Sequence, residues 1–329
     1  MARELSSAVA MGLLFVVANA VALVLAAPAQ SLGYQAVPDP QDPLNPLWYL
    51  ALVGVFTAII LAAVKLGREA FVKYIILGAM AVTMVYVYSL PFTYLLIILQ
   101  DPALLDFAAL STAQVELVIL MNNLAFGLSL LVAALLTYML VKRPEWYVVD
   151  VVGVSTAAGV IAIMGISFGI VPALILLIAL AVYDAWAVYR TKHMVALADA
   201  VTSQRLPVLL VIPKKRDYSF LKQKGLKAQL DAGEEREAMF MGLGDIIIPG
   251  ILAVSAFTFL PMTEAEVPKA LAVAIACLAG SLCGYAILMR YVAKGRPQAG
   301  LPLLNGGAIL GYIAGYLAVF QEPTLGLLR

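Results

Sequence analysis

The chain has 329 residues, 63% hydrophobic and 12% charged, with a mean hydropathy of +0.97; soluble domains average about half apolar and a quarter charged, so a water-soluble fold is excluded. Twenty-one Lys and Arg against twenty Asp and Glu leave a formal charge of +1, which excludes a global field for nucleic acid or a polyanionic substrate. A single histidine, His193, excludes multi-histidine metal centres, and no metal or other cofactor is expected.

Runs of about 20 apolar residues, the length needed to cross a bilayer, predict nine spans in chain order. They are Val9 to Ala27, Leu47 to Leu66, Tyr74 to Leu99, Leu117 to Val141, Trp146 to Gly165, Ile170 to Tyr189, Met239 to Leu260, Pro268 to Met289 and Leu301 to Phe320. The fifth and sixth form one apolar stretch too long for a single crossing, and Gly165, Gly169 and Pro172 supply the turn of a helical hairpin. The expected fold is therefore an all-α polytopic membrane protein of nine transmembrane helices, a single domain over residues 1–329. It divides into six helices (1–189), a basic loop (190–238) and three helices (239–329). Arg3, the first apolar run and Ala27-Pro28-Ala29 imitate a cleavable signal peptide. The long run and the proline inside the supposed cleavage site favour a retained helix. Cys277 and Cys283 lie six residues apart on one helix and point about 120° apart, which excludes an intrahelical disulfide.

With the N-terminus cytoplasmic and each span crossing once, 19 of the 21 Lys and Arg fall inside, ten of them between Arg190 and Arg236. Only Lys269 and Arg329 fall outside, where Asp39, Asp42, Asp101, Asp106, Glu264, Glu266 and Glu322 collect, as the positive-inside rule requires. The expected protein sits in the cell membrane with N-terminus and large loop cytoplasmic and C-terminus extracytoplasmic. Within that loop, Pro207 to Pro213 is a β-branched run followed by Lys214, Lys215 and Arg216. It reads either as a segment on anionic lipid or as an edge strand able to pair with an unwound peptide.

An ionised Asp near the centre of a membrane helix costs roughly 2.5 to 3.5 kcal/mol, so such residues mark function. Asp184 follows Tyr183 in the sixth span, six residues before Arg190 and about 9 Å inward; Asp245 lies eight after Glu237, about 12 Å inward. Their spans are consecutive and antiparallel, so the carboxylates can face each other. Two carboxylates in close approach share one proton, the arrangement with which aspartic proteases activate water and protonate a peptide carbonyl. Gly242 and Gly244 clear side chains from the approach to Asp245. Pro249 lacks the N–H that the Asp245 carbonyl would otherwise receive, loosening the helix there.

Tyr183-Asp184 and Gly242-Leu243-Gly244-Asp245 resemble the Tyr-Asp and Gly-x-Gly-Asp motifs of presenilins and signal peptide peptidases, the intramembrane aspartyl proteases. The nine-span layout resembles theirs over essentially the whole chain. Pro302-Leu303-Leu304 resembles their Pro-Ala-Leu motif, with leucine in place of alanine. The resemblance implies a presenilin-like fold, catalysis by Asp184 and Asp245, and substrate contact at Tyr183, Gly242, Leu243, Gly244, Pro302, Leu303 and Leu304. The charge distribution matches the presenilin sense rather than the inverted one, which implies single-pass substrates with an outside N-terminus. The short loop and termini resemble archaeal-type members that act without obligate partner subunits.

Three alternatives have counter-signals or rivals. Prepilin peptidases share a Gly-x-Gly-Asp element but continue with lysine, where this chain has Ile246-Ile247-Ile248. Paired carboxylates also serve cation or proton transporters. Schiff-base chemistry is disfavoured because no lysine lies in the middle of a span. Asp150 reads as interfacial, beside Lys142 and Arg143. Asn19, Asn122 and Asn123 read as interhelical hydrogen bonders, and His193 as a solvated or headgroup-contacting residue.

Overall fold

The computed structural model describes residues 2–105, 110–191, 208–214, 218–219, 237–293 and 298–327. Chain in lipid must satisfy its own backbone groups, and the apolar runs do so as nine α-helices among these residues. They are α1 (Ala2–Ser31), α2 (Asn45–Lys65), α3 (Glu69–Gln100), α4 (Thr112–Lys142), α5 (Trp146–Ser167), α6 (Ile170–Trp186), α7 (Leu243–Phe259), α8 (Val267–Ala293) and α9 (Leu301–Phe320). Seven are long and apolar enough to cross a bilayer, while α2 and α7 contribute shorter apolar stretches, Asn45–Ile60 and Leu243–Phe259. The α5–α6 turn falls at Phe168 and Gly169, as the glycines and Pro172 lead one to expect.

Two findings at the strands bear on the site, the first being one of the two alternatives the sequence offered and the second a departure from it. The Pro-fenced run is a strand, β1 (Leu209–Pro213), and it pairs antiparallel with β2 (Ala238–Gly242), with Leu209 opposite Gly242 and Pro213 opposite Ala238. The seventh span therefore begins as strand: Met239 to Gly242 are extended, and helix starts only at Leu243. Most of the basic loop, including Pro207, Lys215, Arg216 and His193, lies outside the described residues.

α1 belongs to the core. Met11, Phe15, Ala18, Ala22, Ala26 and Ala29 recur at helical spacing, each at most 1% exposed, and Ala27-Pro28-Ala29 lies within the helix. α5 is the hub. Gly153, Gly159 and Gly165 are six residues apart, a rotation that sends each to a different face. Each glycine admits a different neighbour: Leu210 and Leu243 at Gly153, Val87 of α3 at Gly159, and Val254 of α7 at Gly165.

α8 and α9 meet backbone to backbone. A Cβ on Gly280 would overlap the Gly307 carbonyl oxygen, one on Gly284 the Leu303 carbonyl, and one on Gly311 the Ala276 carbonyl. Gly280→Val should therefore force these helices apart at a cost of about 1–3 kcal/mol or more. Thermal unfolding in micelles should show a lowered midpoint, and an unchanged midpoint would contradict the contact.

Candidate active site

Asp184 lies near the end of α6, where the helix widens into one π-type turn, Ala187–Thr191. Such turns mark functional sites more often than ordinary helix does. Successive helical residues point about 100° apart. Asp184 accordingly turns inward at 6% exposure while Tyr183 stands outward at 48%, its ring tilted beside that of Trp186.

Asp245 is held differently. β2 delivers the chain to Gly242, the N-cap of α7, and Asp245 is the third residue of the helix, half-buried in its first turn. Its carboxylate accepts the Gly242 N–H, the way an acidic residue at this position closes back on a helix start. The dipole of α7 favours negative charge there. A Cβ on Gly242 would lie 3.3 Å from Asp245 Oδ2, whereas one on Gly244 would meet nothing within 4 Å. The first glycine thus lets the carboxylate fold back, and the second leaves open space beside it. Leu243 is buried against Gly153 of α5, so its side chain supports the site from behind. Pro249 lies inside α7, four residues beyond Asp245, where its missing N–H withholds a helical bond from the Asp245 carbonyl.

The two carboxylates converge on Gly300 and Leu301, at the start of α9. The Leu301 N–H donates to Asp184 Oδ2 at 3.1 Å, and the Gly300 N–H also serves Asp184. A Cβ added to Gly300 would lie 3.0 Å from Asp245 Oδ1. Asp184 and Asp245 are within electrostatic reach of each other.

Gly300 and Leu301 carry no side-chain signature and are absent from the sequence-derived site. Their only sequence signal is their place directly before Pro302. Pro302 sits in the first turn of α9, and Leu303 is half-buried with its carbonyl against Gly284. Leu304 turns fully into the core, where its carbonyl accepts the Ser281 hydroxyl at 3.1 Å. Asn305, also unanticipated, is fully buried and donates from Nδ2 to the Leu177 carbonyl at 2.9 Å, tying α9 to the helix that carries Asp184.

Asp150 corrects the sequence reading. Rather than a solvated side chain beside Lys142 and Arg143, it is 7% exposed, and its Oδ1 accepts the Val211 N–H at 2.7 Å. That bond also takes up, at Val211, the outer edge of the strand. Beyond the membrane segments, the buried Tyr218 has its phenol pushed up by burial first and then by Glu237, Glu145 and Asp150, and so stays protonated. Asn122 accepts from Thr93 across α3 and α4, as expected of an interhelical hydrogen bonder, while the Asn19 amide donates within its own helix. Cys277 and Cys283 are both free thiols.

The family model described as signal-peptide peptidase, presenilin aspartyl protease matches residues 11–121 and 104–320. Two solved structures of a presenilin family intramembrane aspartate protease, in C222 and P2 space groups, resemble the chain at 31% and 33% identity. Their TM-scores are 0.57 and 0.60, and each match covers 94% of this chain and 97% of the other. No curated protein matches.

Proposed function

Because the chain belongs to the signal-peptide peptidase and presenilin family of aspartyl proteases, we propose that Asp184 and Asp245 are its catalytic pair. The protein is a multi-pass membrane enzyme, an aspartic endopeptidase that hydrolyses peptide bonds of transmembrane substrates within the bilayer. The observation that carries the assignment of the pair is the convergence of both carboxylates on Gly300 and Leu301.

In the proposed cycle the two acids hold one proton between them. The ionised partner takes a proton from water as the water oxygen bonds to the scissile carbonyl carbon, and the protonated partner donates to the carbonyl oxygen. One acid then gives its proton to the amide nitrogen while the other takes a proton from a hydroxyl of the tetrahedral intermediate, so that the C–N bond breaks, amine and carboxylic acid leave, and the pair again holds one proton. Backbone N–H groups from Gly300 and Leu301 hold the Asp184 carboxylate, and the Gly242 N–H holds that of Asp245. The open space beside Gly244 leaves room for an extended substrate backbone.

Substrate contact is proposed for Tyr183, Gly242, Gly244, Pro302 and Leu303. Leu243 and Leu304, buried as they are, would shape that wall from behind. The distribution of Lys and Arg favours a cytoplasmic N-terminus, hence single-pass substrates with an outside N-terminus, cut without partner subunits. Residues 1–329 would act as one protease domain.

A photoreactive hydroxyl isostere of the tetrahedral intermediate tests the pair. Labelling of the parent protein should be lost in Asp184→Asn and in Asp245→Asn, because a transition-state mimic draws its affinity from both groups. Labelling indifferent to either change would overturn the assignment.

A further inference from the structure

Asp150 is a buried acid in a membrane helix that the proposed cycle does not use, and an acid in such a place is retained for a reason. Among the described residues its hydrogen-bond partner is the Val211 N–H of β1. The ladder shows why that group is available. The Lys214 N–H donates to the Glu237 carbonyl and the Leu243 N–H to the Val208 carbonyl, so alternate residues of β1 bond to β2 and Val211 points off the ladder toward α5.

One turn further along α5, on the same face, Gly153 receives Leu210 and Leu243. Leu210 is opposite Met241, Leu209 is opposite Gly242, and Gly242 gives its N–H to Asp245. From Asp150 to the Asp245 carboxylate there is thus a continuous path of one side-chain-to-backbone hydrogen bond, one strand pair and one helix cap. Gly153 fixes the same hairpin through Leu243, two residues before Asp245.

We propose that Asp150 and Gly153 form a seat on α5 that sets where the β1–β2 hairpin docks, and that Asp150 is thereby a positioning residue for the carboxylate of Asp245. The seat is needed because α7 does not run straight into Asp245 from a long helix. The residue lies in the first turn, just past the open end of a two-stranded antiparallel pair, and an isolated pair of that size does not hold its own position. A side-chain oxygen accepting a backbone N–H where water is excluded is a directional anchor. The inference rests on Asp245 being catalytic, and one of its readouts does not depend on turnover.

The experiment uses the full chain in detergent micelles with a model transmembrane peptide as substrate, and compares Asp150→Ala, Asp150→Asn, Val211→Pro and the double variant D150A/V211P. Asp150→Ala should lower kcat by about tenfold or more with KM within about twofold, and should speed hydrogen exchange at the Val211 amide by about tenfold or more. Asp150→Asn keeps the accepting oxygen and should hold kcat within about threefold of the parent.

Val211→Pro removes the donor but no ladder bond, and should reproduce the kcat loss of Asp150→Ala. The double variant should lose no more than either single change, because both remove one interaction. Should Asp150→Ala fail to fold, Asp150→Asn and Val211→Pro carry the kinetic comparison. A kcat for Asp150→Ala or Val211→Pro within about twofold of the parent would overturn the proposal, as would losses that multiply in the double variant. Retained cleavage in Asp245→Asn would instead overturn the catalytic reading, and exchange at Val211 would still decide whether the seat exists.

Discussion

A transmembrane peptide cut by the parent protein should emerge intact from incubation with Asp184→Asn or Asp245→Asn. Amide nitrogen can neither take the proton from water nor pass one to the carbonyl oxygen, and positioned acid–base groups are worth about 10²–10⁴-fold each. The two groups act on one proton, so D184N/D245N should be no slower than the worse single variant. Mass spectrometry of the products at matched enzyme concentration gives the rates. Both Asn variants should keep the melting behaviour of the parent, since Asn retains an accepting oxygen for the N–H groups of Leu301 and Gly242. Cleavage at an undiminished rate by either variant would remove the dyad from the mechanism.

Gly300→Val should be nearly as damaging, without touching an ionisable group. The added Cβ alone would stand 3.0 Å from Asp245 Oδ1 and 3.3 Å from its Cγ, and the two further methyl groups have to displace the carboxylate or the start of α9. A misplacement of about 1 Å at a reacting group can cost about a hundredfold in rate, and a loss of kcat of that order is expected. Gly300→Ala brings only the first atom and should lose far less. Kinetics of the two variants, read beside isostere labelling, separates a displaced dyad from an unfolded protein. A Gly300→Val enzyme with parental kcat would mean that residue 300 does not border the reacting centre.

Most of the architecture was legible because lipid imposes one rule on every span, and a run such as Trp146 onward needs only length and apolarity to declare itself. Asp184 and Asp245 were legible for the same reason inverted, as charge where the solvent penalises it. The strand Ala238–Gly242 was not. Its residues, Ala, Met, Phe, Met and Gly, are as apolar as those of a helix, and short apolar runs do not distinguish the two by periodicity.

Gly300 and Leu301 were hidden because what they offer is backbone N–H, which every residue but proline carries. Asp150 was misread because its partner is a main-chain group 61 positions away, beyond the reach of any local pattern, while Lys142 and Arg143 stood nearby in sequence. Asn305 was hidden likewise: its amide finds a carbonyl on α6, 128 positions earlier.

The backbone contact of α8 with α9 has a consequence for how the enzyme meets membranes of different thickness. Helices that touch through glycine have no side-chain cushion to slide on, so the pair tilts as one body and carries Gly300 and Leu301 with it. α4 is the opposite case, with only 22% of its apolar window covered by protein. Adjustment to a thinner or thicker hydrocarbon slab falls to such peripheral rods, which tilt at a cost of fractions of a kcal/mol per ångström.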